Sequence, residues 1–379
     1  MDGFINVHCH IINFQFIPDT FFKTRAPFRE WLYRSSLTRW LARIITFLIP
    51  GSEYDRLHEF LSIFKKDINE VAEILLREMK EANIKLSIPL VMDLEYASFN
   101  TKPEVPFRHQ IQLISQIALQ YPGQLLPFVM VDPRRPDAAD MITEALERLG
   151  YLGVKFYPPF GHHPYHKSFY NEPHVNEELN KIYTYCHQNK IPITTHCTIG
   201  GAYGSEVMKY RELEKELTKP SNWRQVLEDF PELHLNLAHF GGDFLDIEKP
   251  TSWSYEIKQM IEEFDNVYTD LSYSNKALER ETTEQYFQQL NTILEENSKA
   301  KERILFGTDW SMTRHTWTEA EYIAPFNREL NRDTMNQIAV RNPMKFLFPA
   351  NIIPERINKF MRDNGKSLPT FLTDHFKTA

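Results

Sequence analysis

The chain has 379 residues, of which 42% are hydrophobic, 13% aromatic and 25% charged, the make-up of a globular protein rather than a disordered or fibrous one. With 43 basic against 51 acidic side chains the net charge is −8, so no global basic excess points to nucleic acid. Three cysteines (Cys9, Cys186, Cys197) are too few for a disulfide framework, and the N-terminal MDGFINVHCH lacks the basic and apolar regions of a secretory signal. The longest apolar stretch, 44–50, falls far short of the roughly 20 residues that span a bilayer. A cytoplasmic protein acting on small molecules is expected, with no nucleic-acid partner and no transmembrane segment.

Eight short apolar stretches, many β-branched, read as buried strands. They are 4–10 (FINVHCH), 85–93 (KLSIPLVMD), 125–132 (LLPFVMVD), 152–157 (LGVKFY), 191–197 (IPITTHC), 233–240 (LHLNLAHF), 267–272 (VYTDLS) and 304–310 (ILFGTDW). Helical segments lie between them: 68–82 and 138–149 carry apolar residues at i, i+3/i+4 spacing, and 177–189, 223–229, 254–264 and 283–297 repeat the theme. Eight alternations predict an α/β fold, a (β/α)8 TIM barrel over 1–349, with 350–379 as a surface extension.

One interval breaks the rhythm, because strand 1 ends near residue 10 and strand 2 begins near 85. An insertion, 14–66, fills it. Between 14 and 50 it holds nine aromatics and six basic against two acidic residues. Phe28, Trp31, Leu37, Trp40, Leu41, Ile44, Ile45 and Leu48 recur at helical spacing. The reading is a helical, aromatic-rich cover over the barrel mouth or a surface for a homodimer; a basic amphipathic helix on a membrane and a partner-docking element are the alternatives.

The histidines concentrate at predicted strand ends. His8 and His10 lie two apart on strand 1 and share a face, with Cys9 on the other. His196 closes strand 5, His239 strand 6 and Asp309 strand 8, so five donors reach the C-terminal rim, where barrel active sites lie. Imidazoles with one carboxylate suit a zinc-type site. Cys9 and Cys197, alternating outward, read as small buried residues.

Taken in order, INVHCHI, VDPRR, GVKFYPP, TTHCT, LAHFGG, VYTDLS and ILFGTDW resemble the amidohydrolase superfamily. The closer likeness is to the amidohydrolase-related (amidohydrolase 2) branch that includes aminocarboxymuconate semialdehyde decarboxylase and pyrone dicarboxylate lactonase. It runs from about residue 3 to NPMKFLF at 342–348, where Asn342 reads as an N-cap and Pro343 as the first helical residue.

The resemblance implies that His8, His10, His196 and Asp309 ligate zinc, and that Asp309 also accepts a proton. His239 is then a ligand of a second ion, or a group that polarises substrate or orients water and helps hold an oxyanion. Lys155 either bridges two ions as a carboxylated lysine or serves the substrate beside one ion, the favoured count; Gly153 on its face leaves room inside. Tyr157, Ser272, Arg314, His315 and His162 are candidate substrate contacts, with His163 and His166 in the same loop as His162. The leading expectation is a metal-dependent hydrolase in which metal-bound hydroxide attacks an ester, lactone or amide carbonyl. A metal-dependent non-oxidative decarboxylase of an unsaturated or aromatic acid is the alternative. A catalytically silent barrel used as a binding module is a third reading.

Overall fold

The structure, a computed structural model, describes residues 3–21, 60–98, 101–165, 173–205, 207–242, 245–296 and 298–377. Among these residues, eight strands follow one another around one sheet in chain order. They are β1 (Phe4–Cys9), β2 (Ile84–Met92), β3 (Phe128–Met130), β4 (Gly153–Phe156), β5 (Ile193–Thr198), β6 (Leu235–Gly241), β7 (Val267–Asp270) and β8 (Ile304–Leu305). Each adjacent pair is parallel. From β8 back to β1 the ring is closed by single main-chain bonds: Val7 N donates to Phe306 O at 3.0 Å and Asp309 N to His8 O at 2.8 Å. The architecture is the expected (β/α)8 barrel.

Helices α1 (Ile68–Glu81), α2 (Phe107–Gln120), α3 (Ala138–Arg148), α4 (Pro173–Asn189), α5 (Arg224–Asp229), α6 (Trp253–Glu263), α7 (Thr283–Glu296) and α8 (Glu319–Glu329) intervene between strands or follow the last one. Helix α1 shows the local logic. Asp67 Oδ1 accepts from Asn69 N at 2.9 Å, Glu70 Oε2 accepts from Asp67 N at 3.2 Å, and Ile68, Val71, Ala72, Leu75 and Met79 are buried.

Two apolar layers result. Cys9, Val129, Val154, Phe156, Ile193, Cys197, Leu235 and Phe306 pack outward against helices. Ile5, Val7, Leu86, Ile88, Phe128 and Leu305 form a second cluster with residues from the C-terminal segment. That segment is not a surface appendage, as expected from its position, but part of the core. Helix α9 (Glu355–Asp363) buries Ile357, Phe360 and Met361 against the barrel, and Leu372 joins them. Arg356 Nη2 donates to Leu152 O at 2.5 Å, at the start of β4.

Asn342 is not an N-cap. It lies at φ −66° and ψ −46°, inside a helical path that runs through a π-turn, Gln337–Arg341, into Asn342–Leu347. The wider turn absorbs the N–H that Pro343 lacks. The Asn342 side chain instead ties β8, donating to Ile304 O at 2.7 Å and accepting from Gln337 Nε2 at 2.6 Å. Of the insertion, 14–21 and 60–66 are described, and its aromatic stretch from Phe28 to Leu48 lies outside the described residues, as does His166. Among the described residues no helix is long and apolar enough to cross a membrane.

Candidate metal centre

Four imidazoles and a carboxylate meet at the C-terminal ends of the strands. His8 comes from β1, His10 from the residue after it, His196 from β5, His239 from β6 and Asp309 from the loop after β8. All five are buried. His8, His239 and Asp309 present ligand atoms within 4.8 Å of one another. His10 Nε2 stands 3.2 Å from Asp309 Oδ1 and His8 Nε2 3.8 Å from it, while His239 Nε2 lies 3.1 Å from His196 Nδ1. Gly307 makes this approach possible, since a Cβ there would come within 2.9 Å of His8 Cβ and 3.1 Å of Ser272 Cβ.

The far side of each ring is held by an acceptor. His8 Nδ1 donates to Asp270 Oδ2 at 3.1 Å, His10 Nδ1 to Leu90 O at 2.9 Å, His239 Nδ1 to Ser272 O at 3.2 Å and His196 Nε2 to Gly200 O at 2.8 Å. These bonds place the protons on the outer nitrogens, leaving bare lone pairs at His8 Nε2, His10 Nε2, His239 Nε2 and His196 Nδ1. Acceptors therefore face acceptors, and the donor chemistry fits a divalent cation.

The electrostatics agree. Burial, reinforced by the charge of Lys155, lowers His8 to about 3. Burial also lowers His239, and burial together with His239 takes His196 well below the usual range. Burial would raise Asp309, but the adjacent His10 and His8 rings bring it down to about 2. His8, His196 and His239 are thus neutral and the carboxylate ionised at neutral pH. His239 and Asp309 hold positive φ values of 69° and 62°, an unfavourable backbone state that the surrounding bonds sustain.

Lys155 is buried on β4, and its Nζ has no hydrogen-bond partner among the described residues. Burial lowers it to about 8, against the pull of Asp270 and Asp309, so it stays mostly charged at neutral pH. The room expected beside it at Gly153 is taken by Phe128, whose ring would lie 2.6 Å from a Cβ there. Tyr157 packs its ring 4.6 Å from that of His196 and accepts from Ala202 N at 2.9 Å.

Other candidates fall elsewhere. Ser272 is buried, donating to Asp270 Oδ1 at 2.5 Å with its Oγ 2.9 Å from His239 Nδ1, so it braces the rings rather than facing solvent. Arg314 does not reach the cluster: its Nε donates to buried Glu78 at 2.6 Å, because an unpaired carboxylate there would be costly. His315 is exposed, bonded to Met312 O at 2.7 Å. His162 is fully buried 6.1 Å from Phe156, on the face of β4 opposite Lys155. The oxyanion contact expected of His239 needs a proton at Nε2, and the bond to Ser272 O places it at Nδ1.

Asp270 was given no role in the sequence reading. It accepts from Asn236 Nδ2 at 2.7 Å, His239 N at 3.0 Å and Ser272 N at 3.1 Å as well as from His8 and Ser272 Oγ. Burial opposes its charge, but His8 outweighs it and holds Asp270 well below the carboxylate range. Its place at the end of strand 7, facing the same rim, was the available signal.

A barrel with imidazoles and a carboxylate gathered at its C-terminal rim is the framework of metal-dependent enzymes. The sequence matches the family described as Amidohydrolase over residues 5–348, and the chain belongs to that family of enzymes. No curated protein sequence matches it. Its fold is similar to that of 5-carboxyvanillate decarboxylase from Sphingomonas paucimobilis, at 14% identity over 92% of this chain and 99% of that one, with a TM-score of 0.54. A probable 2-pyrone-4,6-dicarboxylic acid hydrolase from Acinetobacter baumannii aligns at 13% identity over 92% and 99%, with a TM-score of 0.53. The 5-carboxyvanillate decarboxylase of Novosphingobium aromaticivorans, solved with bound manganese, aligns at 14% identity over 91% and 97%, with a TM-score of 0.57.

Proposed function

We propose that this chain is a zinc-dependent hydrolase of an ester, lactone or amide whose substrate carries an anionic group. His8, His10, His196 and Asp309 hold the ion in this reading, and His239 stands beside them. The observation that carries it is the set of bare ring nitrogens and the ionised carboxylate directed together, each ring fixed from behind by an acceptor. When bound, the ion polarises a carbonyl and lowers the pKa of water to about 7.

The chain's own residues supply the rest. Asp309 takes a proton from the attacking water and returns it to the leaving oxygen or nitrogen. His239 accepts a hydrogen bond at Nε2 from that water and so aims it. Lys155, charged and without a hydrogen-bond partner among the described residues, pairs with the anionic group of the substrate. Three free, buried cysteines fit a reducing cytoplasm.

Elemental analysis of protein purified without chelator, followed by assays of the zinc- and manganese-loaded chain, tests the reading. The expected result is about one ion per chain, with hydrolysis of esters, lactones or amides that Asp309→Asn abolishes. CO₂ release from aromatic acids without hydrolysis would assign the decarboxylase reaction instead. No bound metal under any loading condition would overturn the metal-dependent reading.

A further inference from the structure

His8 and Asp309 both sit where regular strand pairing gives way to isolated main-chain bonds, among them Asp309 N to His8 O at 2.8 Å. The pairing of β1 with β2 slips between Asn6 and Cys9, and β8 pairs regularly only as far as Leu305. A network of side chains reinforces these bonds. Asn6 Oδ1 accepts from His8 N at 3.0 Å and from Thr308 N at 3.1 Å. Its Nδ2 donates to Thr308 Oγ1 at 2.7 Å and to Glu319 Oε1, on α8, at 2.9 Å. Thr308 Oγ1 in turn accepts from Trp310 N at 3.2 Å and donates to Glu319 Oε1 at 3.1 Å. The N–H groups on both sides of Asp309, and that of His8, therefore end on one buried cluster.

We propose that Asn6 and Glu319 are positioning residues for the metal centre: a buried amide, anchored from α8, braces the direct main-chain bond from Asp309 to His8 and so holds the spacing of the two. The inference rests on the metal-dependent reading above. Asn6, Thr308 and Glu319 are 0%, 1% and 1% exposed, so water does not substitute for any of these bonds. The amide also joins the first and last strands directly, across 302 residues of sequence to Thr308. Glu319 is itself held in place, because its backbone N–H donates to Glu78 Oε2 at 3.1 Å, the oxygen that also accepts from Trp310 Nε1 at 3.1 Å. Residue 310 is thereby fixed twice, through its main chain and through its indole. Partners behind a metal's ligands typically change metal affinity about 10–100-fold when lost.

The test measures zinc dissociation constants by chelator competition on the full chain, with thermal unfolding of the metal-free protein alongside. Glu319→Leu removes the anchor of the Asn6 amide without touching a ligand, and should weaken zinc about 10–100-fold while the metal-free unfolding temperature holds or rises. Glu319→Gln keeps the acceptor oxygen and should keep the wild-type constant. Asn6→Ala should weaken zinc at least as much as Glu319→Leu, and if it fails to fold the two Glu319 variants decide alone. Wild-type zinc affinity in Glu319→Leu, or a change confined to the unfolding temperature, would overturn the inference and leave the metal centre standing. No zinc binding by the unaltered chain would overturn both.

Discussion

Asp270 Oδ2 lies 3.1 Å from His8 Nδ1, a carboxylate set behind an imidazole whose other nitrogen faces the donor cluster. The pairing fixes the tautomer and makes the ring a stronger base toward a cation. Asp270→Asn keeps the shape but removes the charge, and its amide can turn a donor toward His8. Metal affinity should drop about 10–100-fold, read by chelator titration. An unchanged affinity in a folded Asp270→Asn protein would show that this pairing does not tune the centre.

Glu319 gives the fold a pH dependence of its own. Burial, with the charge of Glu78 nearby, raises it from 4.5 to about 8, so the native state holds a proton that the unfolded chain releases. Its contribution is complete below pH 4.5 and is lost as pH rises through 8. Arg314, paired with Glu78, is the facing cation. Glu319→Gln cannot titrate, so its stability relative to wild type should climb across that window by at most about 1.4 kcal/mol per pH unit and then level off. Urea unfolding of both proteins from pH 5 to about 9 checks it, and a constant difference would refute the neutral carboxyl.

The barrel was legible because strand composition and the repeat of helix-length segments depend on local pattern, which sequence carries. The gathering of the histidines was legible for the same reason, since each lies at a strand end and strand ends share a rim. Asp270 and Asn6 were not. Which side chain braces a ligand depends on the slip in β1 and on the closure of β8 against it, contacts between residues some 300 apart. Arg314 went astray similarly: its partner, Glu78, stands on the buried face of α1, where periodicity predicts an apolar residue. The C-terminal segment looked detached because its strongly charged helix hides three buried apolar positions.

That segment should matter to stability. Gly150 sits at φ +72°, and a Cβ there would lie 2.2 Å from the ring of Phe360. Phe360→Ala should cost about 3–5 kcal/mol. Gly150→Ala suffers both the positive φ and the clash, so its cost should shrink in the Phe360→Ala background, leaving the backbone share of about 1–2 kcal/mol. A double-mutant cycle by urea unfolding measures the coupling. Strict additivity would mean that the two do not touch in solution.

Lys155 discriminates between the two ways of using a buried amine beside a metal. Lys155→Met preserves the stem and removes the charge. If the ammonium pairs with the substrate, metal content stays unchanged and KM rises about 10–100-fold, the loss of a charged hydrogen bond worth ~1.5–3 kcal/mol. Because the amine titrates near 8, the wild-type KM should also rise above that pH, while the KM of Lys155→Met stays flat across it. If the amine is instead carboxylated and bridges two ions, wild type should carry about two equivalents and Lys155→Met one or fewer. Metal analysis and a KM profile from pH 6 to about 10 separate the two. A wild-type KM that is flat through 8, together with an unchanged metal count in Lys155→Met, would remove Lys155 from both roles.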